Sequence, residues 1–197
     1  MLPAKATAPE RPAGGGPGAR RKLALRAARE IAAEGGYDAV TMREVARRSG
    51  VARATLYRYF SSKDHLLAEV ILDVNAELRD ELKEHPPCGD TLADRVTDAF
   101  ARVIRGVQRE PKLLTATLRA YFSPDPAVHA VGPEIRKMGS AFLEVGLGDA
   151  EVPERAEIAR VLGALSFAML LSLSGGHRTY DEAIDDIRNA ARLLLRR

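Results

Sequence analysis

The chain has 197 residues, enough for a sizeable core, and an apolar fraction of 46% that excludes wholesale disorder. A single cysteine, Cys88, excludes an intrachain disulfide and a cysteine-based zinc cluster. The net charge of +3 divides unevenly: residues 1–66 carry 13 basic and 6 acidic side chains, residues 67–197 carry 17 and 21. A basic head on an acidic body points to a polyanion met by the head alone.

Residues 1–19 are rich in Pro, Gly and Ala without periodicity, and are expected to form a disordered tail. From Arg20 the pattern is helical. Ala24, Ala27, Ala28 and Ile31 share one face of a first helix, which Gly35-Gly36 ends. Thr41 with Glu44 has the spacing of a capping box, opening a short helix to about Arg48. Ser49-Gly50 breaks it, and a third helix is predicted over residues 52–59. Ser61-Ser62 offers a cap for a long fourth helix with a Leu67, Val70, Ile71, Val74, Leu78 stripe. Further helices are predicted at about 91–109, 111–122, 126–147 (with a kink near Gly132-Pro133), 153–174 and 181–195. No segment alternates with period two. The expected fold is all-α, about nine helices: a three-helix helix-turn-helix head over residues 20–66 and a helical body for effector binding and dimerisation over residues 67–197.

No apolar run reaches the roughly 18 residues that cross a bilayer. The richest, Ala164 to Leu173, is interrupted by Ser166 and Ser172. With no apolar stretch suited to secretion at the N-terminus, a cytoplasmic protein without a membrane partner is expected.

The head carries the chemistry. Two helices crossing at a steep angle need a small side chain at the crossing, a residue tolerant of positive φ in the turn, and an apolar residue pointing back. Ala46, Gly50 and Leu56 supply them, with Val45, Val51 and Phe60 around them. The third helix would then show Ala52, Arg53, Ala54, Thr55, Tyr57, Arg58 and Tyr59 to a major groove. Arg53 suits the two acceptors of guanine, and Arg58 suits guanine or phosphate. Thr41, Thr55, Tyr57, Tyr59 and Lys63 suit phosphate oxygens, and Arg43 suits either. Arg20, Arg21 and Lys22 could form an arm for the neighbouring minor groove.

Gly35-Gly36-Tyr37, Thr41-Met42-Arg43-Glu44-Val45-Ala46, Ser49-Gly50-Val51, Thr55-Leu56-Tyr57-Arg58-Tyr59-Phe60 and Ser62-Lys63 together closely resemble the DNA-binding head of the TetR family. Ala54 departs from it, since many members carry glycine there. The resemblance implies a homodimer on a palindromic operator, an effector pocket among the body helices, and repression released by a ligand. Arg109-Glu-Pro-Lys-Leu-Leu-Thr-Ala with Arg119-Ala-Tyr also resembles the cholesterol-catabolism repressors of actinobacteria (KstR type), implying a steroid-derived or acyl-CoA effector.

The eighth helix is apolar nearly all round and so must be covered on more than one side. With the ninth, it predicts a four-helix dimer interface through Ile158, Val161, Leu162, Leu165, Ile184, Ile187, Ala191 and Leu194, the alternative being a central helix within one protomer. Bulky side chains suited to lining an effector pocket are Phe100, Leu118, Tyr121, Phe122, Met138, Phe142, Phe167 and Met169, each of which plain core packing would equally explain. The four histidines lack metal-ligand spacing, and Ser172-Leu-Ser-Gly-Gly is not a nucleophile elbow. No cofactor is expected, and a helical adaptor or small helical enzyme stands as the alternative.

Overall fold

In the computed structural model, residues 16–196 are described. They contain nine α-helices: α1 (Pro17–Gly35), α2 (Met42–Ser49), α3 (Arg53–Tyr59), α4 (Lys63–Glu84), α5 (Leu92–Arg109), α6 (Pro111–Tyr121), α7 (Pro126–Leu147), α8 (Arg155–Ser174) and α9 (Tyr180–Leu194). A 3-10 turn at Tyr37–Ala39 joins α1 to α2, and it was not expected from the sequence. Most of the expected tail lies outside the described residues. Pro17 to Ala19, assigned to that tail, instead form the first turn of α1, where proline's fixed φ suits a helix start.

The boundaries follow local chemistry. Thr41, Ser62, Thr91, Asp125 and Thr179 each cap a helix by accepting a backbone N–H that has no partner within the helix. Thr91 and Thr179 complete reciprocal capping boxes with Asp94 and Glu182. Thr41 makes only half of one: Glu44 donates its N–H to Thr41, but its carboxylate oxygens accept from Arg47 at 2.8 and 2.6 Å. Gly50 ends α2 at φ 68°, the left-handed conformation the turn requires.

The head's core does not stop at residue 66. Leu25, Ile31, Val45, Leu56 and Phe60 pack with Leu66, Leu67 and Val70 of α4 and with Leu113, Ala116 and Ala120 of α6. The expected boundary falls inside α4, which belongs to both regions. Within the body, α5 packs on α9 and α7, and α7 lies between α4 and α8. A second core joins Val96, Phe100 and Ile104 of α5 to Ile158, Leu162 and Met169 of α8 and to Ile187 and Ala191 of α9.

Two expectations change here. Helix α8 has 20 residues and contains an 18-residue stretch with a mean hydropathy of 1.6, so it is long and apolar enough by those measures alone to cross a membrane. Its serines do not interrupt it: Ser166 donates its hydroxyl within the helix, to the Leu162 carbonyl. The helix packs on α6, α7 and α9 of its own chain. Most of the expected dimer residues are also covered within the protomer. Ile158, Leu162, Ile187 and Ala191 are buried inside the protomer, and Leu165 and Ile184 are half-buried against the same core. Only Val161 and Leu194 of the expected set are exposed. Periodicity reveals that a face is covered, not which chain covers it. The exposed face of α8 carries Glu157, Val161, Ala164, Ala168 and Leu171, every third or fourth residue.

Candidate nucleic-acid interface and effector cavity

Helix α3 is held from behind. Leu56 and Phe60 are fully buried, Val51 nearly so, and their removal from water stabilises the pose by roughly 1.5–3 kcal/mol per large side chain. The opposite face presents Ala52, Arg53, Ala54, Tyr57 and Arg58 to solvent, with Thr55 half-buried at the edge. Thr41 and Arg43, at the start of α2, are also exposed.

The cations of the head fall into two groups. Arg43, Arg53 and Arg58 have no ion pair among the described residues, and neither has Arg20 or Lys22 on α1. The others are committed within the protein. Arg21 donates to Glu69 at 2.5 Å and lies over the Phe60 ring, Arg29 bridges Glu77 and Glu110, Arg47 holds Glu44, and Arg48 reaches Glu34. Arg29 and Arg47 are held above the usual guanidinium value. Burial lowers Arg29 but the Glu110 and Glu77 carboxylates prevail, while Arg47 responds first to its hydrogen bond with Glu44. Of the unpaired cations, Arg53 and Arg58 lie on the recognition helix and Arg43 at the start of α2, an arrangement that neutralises phosphates at least desolvation cost.

Three of the residues expected at DNA have neighbours within the protein that the sequence did not show. Arg21 is a strut between α1 and α4 rather than part of a free arm. Tyr59 turns its hydroxyl inward, where it is buried with no partner among the described residues. It therefore packs beside Phe60 rather than facing phosphate, at an edge-on separation of 6.2 Å. The Lys63 ammonium sits 3.7 Å from the centre of the Tyr37 ring, with the Arg119 guanidinium 4.0 Å from the same ring. Sequence spacing placed these residues near the groove but could not show which tertiary neighbours would claim them.

In the body, α4–α8 enclose a cavity of about 760 Å3, within the range of roughly 300–1,000 Å3 usual for small-molecule sites. Phe100, Tyr121, Met138, Phe142 and Phe167 line it as expected. The other three expected residues do not. Leu118 is buried elsewhere, Met169 belongs to the α5–α8–α9 core, and Phe122 is 61% exposed, stacked edge-on behind Tyr121. Missed from the sequence were Asn75 and a cationic trio, Arg136, Lys137 and Arg160, whose side chains line the cavity from exposed positions. Lys137 also pairs with Glu134. Long basic stems on two apolar helices were the available signal, since such side chains cover apolar surface while keeping their charge in water. Among the described residues no three His, Cys, Asp or Glu side chains converge to hold a metal ion.

Residues 24–70 match the family described as bacterial regulatory proteins, tetR family, and residues 89–194 match the tetracyclin repressor-like C-terminal domain. The chain is 34% identical over 154 residues to the HTH-type transcriptional repressor KstR of Rhodococcus jostii, covering 78% of this chain and 72% of that protein. A crystal structure of a TetR transcriptional regulator from Rhodococcus sp. RHA1 superposes with a TM-score of 0.75 at 32% identity, covering 90% of this chain and 96% of that one. Thermus thermophilus FadR, solved in complex with lauroyl-CoA, shares the fold with a TM-score of 0.66 at 22% identity, covering 87% and 92%. The chain belongs to the TetR family and is a DNA-binding transcriptional regulator with a helix-turn-helix head, not an enzyme.

Proposed function

We propose that the protein is a homodimeric repressor that leaves a palindromic operator when a coenzyme A thioester enters the cavity. The observation that carries the effector reading is the cavity's make-up: aromatic and aliphatic walls with three cationic side chains, Arg136, Lys137 and Arg160. An acyl group would fill the apolar interior, and the phosphates of the coenzyme would meet the cations outside it. The acyl-CoA complex of the Thermus relative supports the capacity of this fold for such a ligand. The resemblance to the cholesterol-catabolism repressors adds a steroid-derived acyl group as the second chain type to test.

Dimerisation is assigned to the exposed Val161, Ala164, Ala168 and Leu171 of α8, a stripe whose small residues let a second helix approach closely. Leu193 and Leu194 at the end of α9 are exposed as well. A ligand releases DNA only if it favours one spacing of the two heads over another.

The test is titration of the operator complex with lauroyl-CoA and with the coenzyme A thioester of a steroid carboxylic acid. Release by either thioester, and not by coenzyme A or the free acids, is expected. Release by none of them would reject the effector assignment. A monomer in sedimentation at micromolar concentration would reject the dimer.

A further inference from the structure

We propose that Ser62, Asp64, Ser123 and Asp125 form a clasp that positions the recognition helix for DNA. The clasp sits at the first turn of α4, and only Ser61 and Ser62 separate that turn from Phe60, which closes α3. Ser62 caps α4, accepting from the His65 N–H at 3.0 Å, and its hydroxyl donates to Asp125 Oδ2 at 2.5 Å. Asp125 in turn caps α7, its Oδ1 accepting from the Ala127 N–H at 2.8 Å. Two helix starts are thereby capped by side chains bonded to each other. Beside them, Asp64 accepts from the Tyr37 hydroxyl at 2.5 Å and from the Ser123 hydroxyl at 2.7 Å. This joins the turn before α2, the start of α4 and the turn between α6 and α7.

Alternative head angles would separate these groups. Any rotation of α7's first turn against α4 strips the acceptor from Ser62, and any shift of the head strips Tyr37 from Asp64. Hydrogen bonds to a charged carboxylate are the stronger kind, and here they are partly shielded from water. Beyond its capped start, α7 contains Pro133 and lines the cavity with Pro133, Ile135, Met138 and Phe142. Pro133 cannot donate the backbone bond that would tie it to the preceding turn. The clasp is therefore the polar joint between the wall of the cavity and the end of the recognition helix. Its four members act through Phe60 and α3 and touch no base or phosphate. They are positioning residues.

The test uses the full chain and a duplex that it selects from a random pool. Asp125→Asn keeps a side-chain oxygen to cap α7 but loses the charge that holds Ser62. Ser62→Ala removes the donor, and Ser62→Thr restores both cap and donor. Asp125→Asn and Ser62→Ala should each weaken duplex binding roughly three- to ten-fold, and the double variant should bind no worse than the weaker single one, as coupled neighbours do. Ser62→Thr should bind as the wild type does. Should Ser62→Ala fail to fold, Asp64→Asn against Ser123→Ala gives the same comparison across the second arm. Wild-type affinity in Asp125→Asn, or losses that multiply in the double variant, would overturn the clasp. A wild-type chain that selects no duplex would overturn the DNA reading itself and the clasp with it.

Discussion

Two faces of the head carry the same residue type and use it differently. On the recognition face, Arg43, Arg53 and Arg58 are exposed and form no ion pair among the described residues. On the face toward α4 and α6, Arg21 and Arg29 are spanned by Glu69, Glu77 and Glu110. The first group is left for phosphates and bases; the second sets where the head stands on the body. An arginine's role is decided by the carboxylates within its reach, which a count of basic residues does not show.

The comparison breaks most visibly at Arg53. Arg53→Ala should cost about 1–3 kcal/mol of operator binding and relax preference at one base position, if the guanidinium spans a guanine. Its melting temperature should stay that of the wild type, because the side chain is exposed and forms no ion pair among the described residues. Selectivity unchanged in a competition assay would remove Arg53 from the reading set. Arg58→Ala is next: affinity should fall for all duplexes alike and the salt slope should flatten by about one. A loss confined to one sequence would move Arg58 from phosphate to base.

Arg21→Ala should do the reverse. It should lower thermal stability by up to about 1 kcal/mol, since its partner Glu69 is mostly shielded, and leave the salt slope intact. A flattened slope would return Arg21 to the DNA-facing group. The smallest effect is expected at Asp73. Burial first, and then Glu77, raise its carboxyl above the usual value against the opposing pull of Arg21, Lys22 and Arg29. A carboxyl whose folded pKa lies above its unfolded one costs stability at neutral pH, and the cost disappears as pH falls below the ordinary carboxylate range. Asp73→Asn should therefore melt slightly higher than the wild type at pH 7, by less than about 1 kcal/mol, and equally at pH 3. A lower melting temperature at pH 7 would show that Asp73 is a net stabilising partner of the α1 cations.

Much of the head was legible because its signals are local. Ala46, Gly50 and Leu56 are fixed by the crossing of two short helices, and Thr41 and Ser62 announce the helix starts they cap. The body was legible as helices but not as surfaces. Ile158, Leu162, Ile187 and Ala191 have the periodicity of an interface and are consumed by α5 of the same chain. Five of the cavity's walls were readable as bulky side chains, whereas Arg136 and Arg160 required knowing that α7 and α8 both border the cavity. The surroundings of Tyr59 and Lys63 were hidden for the same reason: a buried hydroxyl and a ring under an ammonium are tertiary facts.

The central claim is that the unpaired cations of α2 and α3 engage duplex DNA, and selection from a random duplex pool, followed by binding across a salt series, tests it most directly. The account predicts an enriched palindrome and an affinity that falls linearly on logarithmic axes as salt rises. Equal retention of all sequences with no salt dependence, or no retention at low ionic strength, would contradict it.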